Sequence, residues 1–212
     1  MDKLLEEIKN AVIDGRHSEI EALVEAAIKR QADLNELINK ALIAAMDVVG
    51  GRFSKSEIFV PEMLVAAVTM KKGLDMIKPL LQEGQQQSKG KIVLCTVRGD
   101  LHDIGKNLVA MMLEGAGFEV IDLGVDVTVE NVIDKVADIQ PQVLGMSALL
   151  TTTMPEMENV IHVLQARGIR EKVKVIIGGA PVDAEFAEKI GADAYGKDAA
   201  EAVTIARSLI NK

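Results

Sequence analysis

The chain has 212 residues, of which 49% are hydrophobic, and its formal net charge is −8. This length is enough for one large domain or two small ones, each with its own core. The acidic charge and an aromatic content of only 2% argue against nucleic acid as a partner, because a polyanion is repelled and exposed bases lack rings to stack on. A single cysteine, Cys95, permits no disulfide within the chain and favours the cytoplasm. No apolar stretch reaches membrane-spanning length, and the N-terminus lacks a signal-peptide core, so no membrane location is expected.

Four helices are predicted in residues 1 to about 83, where apolar residues recur at helical spacing. The first should end at Asp14-Gly15 and the third at Gly50-Gly51, because glycine commonly follows a helix. Ser18 and Asp33 are the predicted caps of the second and third helices, each followed three residues later by a glutamate. The fourth should open within FVPEM (59–63), since proline is tolerated in a first helical turn. Short loops between the four helices predict a small antiparallel bundle.

A change of pattern marks a second domain. Residues 82–90, QEGQQQSKG, are polar and are predicted to be a linker, which gives a helical domain over 1–88 and a second domain over 89–212. Short β-branched runs then alternate with helical stretches, which predicts a parallel sheet with helices on both faces. A flavodoxin-like strand order of 2-1-3-4-5 is expected. The five predicted strands are KIVLCTV (91–97), FEVIDL (118–123), QVLGMSA (142–148), KVKVIIG (172–178) and ADAY (192–195).

Ligands of such sheets bind beyond the carboxyl ends of the strands, and this rule selects the loops after strands 1, 3 and 4. The first of these loops, RGDLHDI (98–104), contains His102. A zinc site built by the protein alone is not expected, because the remaining histidines and the cysteine lie at no metal-ligand spacing from His102. No serine or cysteine stands in a recognisable nucleophile turn either.

A single histidine can still be a metal ligand when a macrocycle supplies the other donors. Asp100 could then accept the second ring N–H of His102, and Gly105 could let the backbone approach a bulky cofactor. The alternative is that His102 is an ordinary loop residue and that Asp103 caps the next helix. The spacing of these residues leaves both interpretations open.

The two other loops allow similar alternatives. Gly178-Gly179 forms either a simple turn or a place where the backbone approaches a ligand closely. After strand 3, the hydroxyls of Ser147 and Thr151 to Thr153 either cap the next helix or line a polar pocket.

Taken together, the three loops resemble a known signature. Asp100-Leu-His102-Asp-Ile-Gly105, Ser147-Ala-Leu149 and Gly178-Gly179 are similar to the Asp-x-His-x-x-Gly, Ser-x-Leu and Gly-Gly motifs of cobalamin-binding domains. Those domains hold the corrinoid base-off, with a protein histidine on cobalt. The block DLHDIGKN resembles methyltransferase corrinoid proteins in particular, and the helical half resembles the cap of the cobalamin module of methionine synthase. The resemblance covers nearly the whole chain.

The resemblance implies a role for each matching residue. His102 would be the lower axial ligand of cobalt, Asp100 would hydrogen-bond it, and Thr153 would extend this relay where methionine synthase has a serine. Phe59 and Met63 would cover the upper face of the corrinoid. The remaining cofactor-binding residues would be Asp103, Ile104, Gly105 and Thr151, with Ser147, Leu149, Gly178 and Gly179 lining the pocket for the nucleotide tail.

The resemblance also implies a function. The chain would be a stand-alone methyl carrier, not an enzyme on its own, in a multi-component system for methylamines, betaines, methanol or similar compounds. Its partners would be a substrate:corrinoid methyltransferase, a second methyltransferase using tetrahydrofolate or coenzyme M, and a reductive activase. SALLTTTM (147–154) leans towards the methylamine and betaine systems.

Two alternative functions are a cobalamin-dependent sensor and a flavodoxin-like binding module. A cobalamin-dependent sensor would need an effector or DNA-binding segment, for which the chain offers neither spare length nor basic charge. A flavodoxin-like module binding a flavin or phosphate would need a phosphate loop after strand 1, where the carboxylates of RGDLHDIG would repel phosphate.

Overall fold

A computed structural model describes residues 2–81 and 88–210 of the chain. The chain divides into two compact units, one comprising Met1–Ser88 with Glu114–Gly117 and the other Lys89–Leu113 with Phe118–Lys212. Most of the predicted linker, residues 82–87, lies outside the described residues. In the described part, no helix combines the length and the low polarity needed to cross a lipid bilayer.

The first unit is helical, as predicted. Helix α1 buries one apolar stripe and contacts α2, α4 and α5, while α2 packs along α5, so the helices share one core. Asp33 caps α3 by accepting a hydrogen bond from the Glu36 N–H at 3.0 Å, as expected from their spacing. The helices are α1 (Asp2–Ile13), α2 (Ile20–Lys29), α3 (Leu34–Glu36), a π-helical segment (Leu37–Ile43), α4 (Ala44–Ser54), α5 (Val60–Ile77) and a 3₁₀ turn (Lys78–Leu80).

Two of the predicted helix ends are wrong. Helix α2 begins at Ile20 after Glu19, which makes no side-chain cap, so Ser18 is not the N-cap. Gly50-Gly51 does not end the third helix, because α3, the π-helical segment and α4 form one continuous rod to Ser54. Glycine costs about 1 kcal/mol inside a helix but breaks no hydrogen bond. The chain turns instead at Ser56, whose φ of 57° is left-handed and stops the helical ladder.

Helix α5 begins where the sequence predicts. Phe59 is its N-cap residue, and the Phe59 N–H donates to the Glu62 carboxylate at 3.1 Å. Pro61 occupies the first turn, where a missing N–H costs nothing because that N–H has no intrahelical partner.

The second unit is built on a five-stranded, all-parallel sheet, and the predicted order β2-β1-β3-β4-β5 is confirmed. Strand β1 pairs with both β2 and β3, so the chain reverses direction across the sheet at β1 and opens a crevice at its carboxyl end. The strands are β1 (Lys91–Thr96), β2 (Glu119–Asp122), β3 (Val143–Ser147), β4 (Lys174–Gly178) and β5 (Ala194–Tyr195).

Helices cover the sheet on both faces, as the alternation of strands and helices predicts. Alternate residues of β1, β3 and β4, such as Cys95, Leu144 and Val175, form one buried cluster with α7, α8 and α9. Helix α10 contacts β3 and β4 from outside this cluster. The helices are α6 (Ile104–Gly115), α7 (Val129–Ile139), α8 (Pro155–Ala166), α9 (Ala184–Ile190) and α10 (Ala199–Ile210).

Candidate functional site

The loop between β1 and α6 is held in one conformation by its own hydrogen bonds. The Thr96 hydroxyl donates to the His102 carbonyl at 2.9 Å, which ties the end of the loop back to the strand where it starts. The Gly99 N–H donates to the Asp126 carboxylate at 2.7 Å, and the Asp126 N–H donates to the Asp100 carbonyl at 3.0 Å. Gly99 has a φ of 80°, a left-handed conformation that glycine adopts without strain. The strand end therefore presents Asp100 and His102 in a fixed geometry.

Asp100 lies at the centre of the site, fully buried, and accepts five hydrogen bonds. Its Oδ1 accepts from the His102 ring Nδ1 at 2.7 Å and from the His102 N–H at 3.1 Å. Its Oδ2 accepts from the N–H groups of Leu149 (2.7 Å) and Leu150 (3.3 Å) and from the Thr153 hydroxyl (2.8 Å). Burial alone would raise the pKa of Asp100, but these hydrogen bonds hold the pKa well below its ordinary value. The carboxylate is therefore ionised at neutral pH.

This carboxylate decides which nitrogen of His102 is free. An ionised carboxylate can only accept, so Nδ1 donates, and in the neutral imidazole the lone pair is then on Nε2. Nε2 has no protein partner among the described residues, and 51% of the His102 side chain is exposed. A neutral imidazole whose second nitrogen is fixed by a carboxylate is the usual form of a histidine metal ligand.

The histidine loop and the neighbouring loop after β3 carry exposed apolar side chains. Leu101 and Ile104 are 71% and 82% exposed, and Leu149 and Leu150 of the neighbouring loop are each 42% exposed. Exposed aliphatic residues clustered around one polar group indicate a binding surface. A Cβ added at Gly105 would find no atom within 4 Å, so space remains beside the first turn of α6. A single imidazole nitrogen near exposed aliphatic side chains would suit a large macrocycle that supplies the other metal donors itself.

The strand ends beside the histidine loop bring together the residues predicted to form a pocket. Thr96, Ser147 and Gly178 stand side by side in register across β1, β3 and β4. Gly179 has a φ of 128°, and a Cβ there would lie 1.9 Å from the Ala148 carbonyl oxygen. The turn itself therefore requires glycine at position 179. The role of these residues in a tail pocket stays a prediction.

The remaining predicted site residues are more scattered. Asp103 accepts a hydrogen bond from the Asn107 side chain at 3.0 Å, and Thr151 is exposed. Phe59 and Met63 belong to the helical unit. Phe59 is 67% exposed, whereas Met63 is fully buried and offers no surface to a ligand in this conformation. Their predicted place over the corrinoid stays a prediction.

Several groups at the site could not be predicted from the sequence. The N–H groups of Leu149 and Leu150 reach Asp100 only because β3 lies beside β1. Lys106 is buried although it is a lysine, and it forms an ion pair with Asp122. Only Thr96, a hydroxyl that directly follows the apolar run of residues 92–95, could have been singled out from the sequence.

A protein-built metal cluster is not found in the described ranges, where no group of three or more histidine, cysteine or acidic side chains could hold a metal ion. Burial raises the pKa of the Cys95 thiol to about 12, so this thiol is neutral and unreactive at neutral pH.

Comparison with protein-family models gives two matches, both described as a B12 binding domain. One matches residues 90–204 and the other matches residues 4–78. Both units of the chain are thus covered by family models of the same name.

Curated relatives extend over the whole chain. Dimethylamine corrinoid protein 1 of Methanosarcina acetivorans is 45% identical over 210 residues, which cover 99% of this chain and 98% of the relative. The trimethylamine corrinoid protein of Methanosarcina barkeri is 39% identical over 212 residues, with 99% and 98% covered.

Solved structures share the architecture. A cobalamin-binding protein of Desulfitobacterium hafniense is 37% identical with a TM-score of 0.80, covering 97% of this chain and 98% of that one. The methanol:cobalamin methyltransferase complex of Methanosarcina barkeri contains a chain that is 34% identical, with a TM-score of 0.90 and coverage of 100% and 81%. The chain therefore belongs to the B12-binding domain family, and its cofactor is a cobalamin or a related corrinoid.

Proposed function

We propose that this protein is a methyl carrier of a corrinoid-dependent methyltransferase system and that it holds its cofactor base-off, with His102 Nε2 as the axial ligand. The observation that carries the proposal is the hydrogen-bonded series Thr153–Asp100–His102, which leaves Nε2 of the exposed His102 ring without a partner among the described residues. When bound, the corrinoid supplies the cobalt centre that accepts and releases the methyl group.

The protein residues act by orientation and by exclusion of water. Asp100 fixes the ring orientation and the tautomer of His102, while Thr153 and the N–H groups of Leu149 and Leu150 fix Asp100. The exposed aliphatic side chains of Leu101 and Ile104 would lie against the bound corrinoid and exclude solvent from it. Ser147, Gly178 and Gly179 would line the pocket for its nucleotide tail.

A methylated amine is the proposed methyl donor. The support comes from relatives whose names specify dimethylamine and trimethylamine and which match nearly the full chain. A partner methyltransferase would load the methyl group, and a second one would pass it to tetrahydrofolate or to a thiol such as coenzyme M. A reductive activase would restore an oxidised cofactor. The chain would then be no enzyme by itself.

The domain division proposed from the sequence is a helical cap over residues 1–88 and a corrinoid-binding domain over residues 89–212. The two family matches, 4–78 and 90–204, support it. The expected cytoplasmic location rests on the single cysteine and stays a prediction.

Electron paramagnetic resonance of the loaded protein tests the axial ligand. In the cobalt(II) state, we expect superhyperfine splitting from one axial nitrogen. Labelling the benzimidazole of the cofactor with nitrogen-15 should leave the splitting unchanged, because the nitrogen belongs to His102. A pattern that changes with this label would identify the cofactor's own base as the ligand and refute the base-off proposal.

The methyl donor is tested separately with purified substrate:corrinoid methyltransferases. The reduced, loaded protein is mixed with an enzyme specific for dimethylamine, trimethylamine or methanol and its substrate, and the visible spectrum of the corrinoid is followed. We expect rapid spectral change with a methylamine enzyme. A response confined to the methanol enzyme would contradict the proposed donor.

A further inference from the structure

Lys106 is a buried cation in a position where neither the helix nor the solvent stabilises it. Its residue exposure is only 4%, and it lies in the first turn of α6, where the helix dipole disfavours positive charge. Its ammonium is paired with the carboxylate of Asp122, the last residue of β2. Asp122 is fixed in turn, since its Oδ1 accepts from the Gly124 N–H at 2.9 Å. Lysine is almost never this buried unless it is paired.

A series of side-chain hydrogen bonds connects this ion pair to the histidine loop. The Lys106 ammonium donates to Asn107 Oδ1 at 2.8 Å. The Asn107 amide then donates to Asp103 Oδ2 at 3.0 Å. Asp103 directly follows His102 in the chain. The series therefore runs from the end of β2 to the residue next to the candidate ligand.

The histidine is thus anchored from two sides. On one side, Asp100 is bonded to the loop after β3 through Leu149 and Thr153. On the other side, Asp103 is bonded through Asn107 to Lys106 and β2. Replacing a buried ion pair by apolar residues often leaves stability unchanged or improves it, so stability alone gives little reason for a lysine here.

We infer that Lys106 is a positioning residue, which holds the loop of residues 100–103 through Asn107 and Asp103 so that the His102 ring stays where it can ligate cobalt. The inference rests on the proposed role of His102 as axial ligand. It assigns to the ion pair of Lys106 and Asp122 a function in the geometry of the site. Neither residue touches the reacting atoms.

Two substitutions break the series at different points. Lys106→Met keeps a long side chain that can remain buried but removes the charge, while the Asp122 carboxylate, which is 35% exposed, stays accessible to solvent. Asn107→Leu leaves the ion pair of Lys106 with Asp122 intact and removes both side-chain bonds of Asn107, the one from the Lys106 ammonium and the one to Asp103. The matched control is Arg170→Met, which breaks a similarly buried ion pair with Asp193 at the amino ends of β4 and β5, the opposite edge of the same sheet. Asp193 keeps Lys174 as a partner in that variant.

The first measurement uses the full chain without cofactor. Nuclear magnetic resonance relaxation gives the order parameters of the backbone N–H groups of residues 101–103. We expect values near the rigid level of about 0.85 in the parent and in Arg170→Met, and values closer to about 0.6 in Lys106→Met and Asn107→Leu. Unchanged order parameters in both site variants would overturn the inference, whatever the role of His102.

The second measurement uses the corrinoid-loaded full chain. The ratio of nitrogen-ligated to unligated cobalt(II) is read from the paramagnetic resonance spectrum. We expect it to fall about three- to tenfold in both site variants, the effect of losing one net hydrogen bond, and to stay unchanged in the control. If the order parameters fall but the ratio of ligated to unligated cobalt(II) is unchanged, the positioning role is wrong. An equal fall of this ratio in Arg170→Met would also overturn it. A parent without nitrogen splitting would refute the proposed ligand, and the order parameters would still decide whether Lys106 holds the loop.

Discussion

At the scale of single residues, the site is organised by one carboxylate. Asp100 is buried, yet it is stabilised in its charged form by five donors from two loops of the chain. Hydrogen bonds to a charged group are about twice as strong as those between neutral groups. One side chain therefore fixes both the shape of two loops and the tautomer of His102.

Removing the histidine separates ligation from binding. We expect His102→Ala still to bind corrinoid, because the exposed apolar side chains of Leu101 and Ile104 and the predicted tail pocket remain. The nitrogen splitting in the cobalt(II) spectrum should disappear, and methyl transfer with partner enzymes should slow at least about tenfold. A normal rate of methyl transfer in His102→Ala would show that ligation by His102 plays no part in the reaction.

The depressed pKa of Asp100 makes a prediction about acid stability. A carboxylate with a lowered folded-state pKa stabilises the fold above its unfolded pKa, about 3.9, and loses this effect as the pH falls towards the folded-state pKa. Cofactor-free Asp100→Asn should therefore be about 2–4 kcal/mol less stable than the parent at pH 7. This difference should shrink below about pH 4.

The measurement is the free energy of unfolding by urea between pH 3 and pH 7. Thr153→Ser is the control, because it retains the hydroxyl that donates to Asp100 and should follow the parent. A difference between parent and Asp100→Asn that does not depend on pH would contradict the assignment.

At the scale of elements, two glycines near the carboxyl ends of the strands differ in whether the fold requires them. Gly179 is required by the fold, because its φ is left-handed and the Ala148 carbonyl would collide with a Cβ. Gly105 lies in the first turn of α6 with open space around its Cα. The fold by itself gives no reason for glycine at position 105.

Alanine at these two positions should therefore have opposite effects on the cofactor-free protein. Gly105→Ala should stabilise it by about 0.5–1 kcal/mol, since alanine is the better helix former, but should weaken corrinoid binding by about 1–3 kcal/mol if the macrocycle occupies that space. Gly179→Ala should lose at least about 2 kcal/mol of stability.

Thermal unfolding of the cofactor-free proteins and titration with cobalamin measure these effects. Unchanged affinity in Gly105→Ala would mean that the cofactor does not approach the first turn of α6.

At the scale of the whole molecule, the second unit contains what the proposed site needs. One large buried cluster of this unit is drawn from residues between 93 and 190. The histidine loop and the loop after β3 lie within the same range. A domain with its own hydrophobic core can in principle fold alone.

We therefore expect a fragment of residues 89–212 to unfold cooperatively on heating and to bind one corrinoid with the same nitrogen splitting as the full chain. Circular dichroism and paramagnetic resonance provide the two measurements, and a fragment of residues 1–88 is the control that should bind none. A 89–212 fragment that binds corrinoid without nitrogen splitting, or does not fold, would show that the helical unit is needed to form the site.

The sequence alone determined the order of the elements and the loops that form the site. Apolar periodicity is a local property, so it predicts helices and strands, and the parallel alternation then selects the strand ends where Asp100, His102 and Thr153 meet. The prediction of a helix end at Gly50-Gly51 is wrong, because the low helix propensity of two glycines does not outweigh the packing of a continuous helix.

Only the tertiary structure decided the backbone partners of Asp100 and the partner of Lys106. The bonds from the N–H groups of Leu149 and Leu150 to Asp100 cross 49 and 50 residues of sequence, and the ion pair of Lys106 with Asp122 crosses 16. Such pairs are set by the register of β1 against β3 and β2, where a shift of one residue would turn each side chain to the other face. Register depends on the packing of the whole sheet, and for that reason no local pattern in the sequence encodes it.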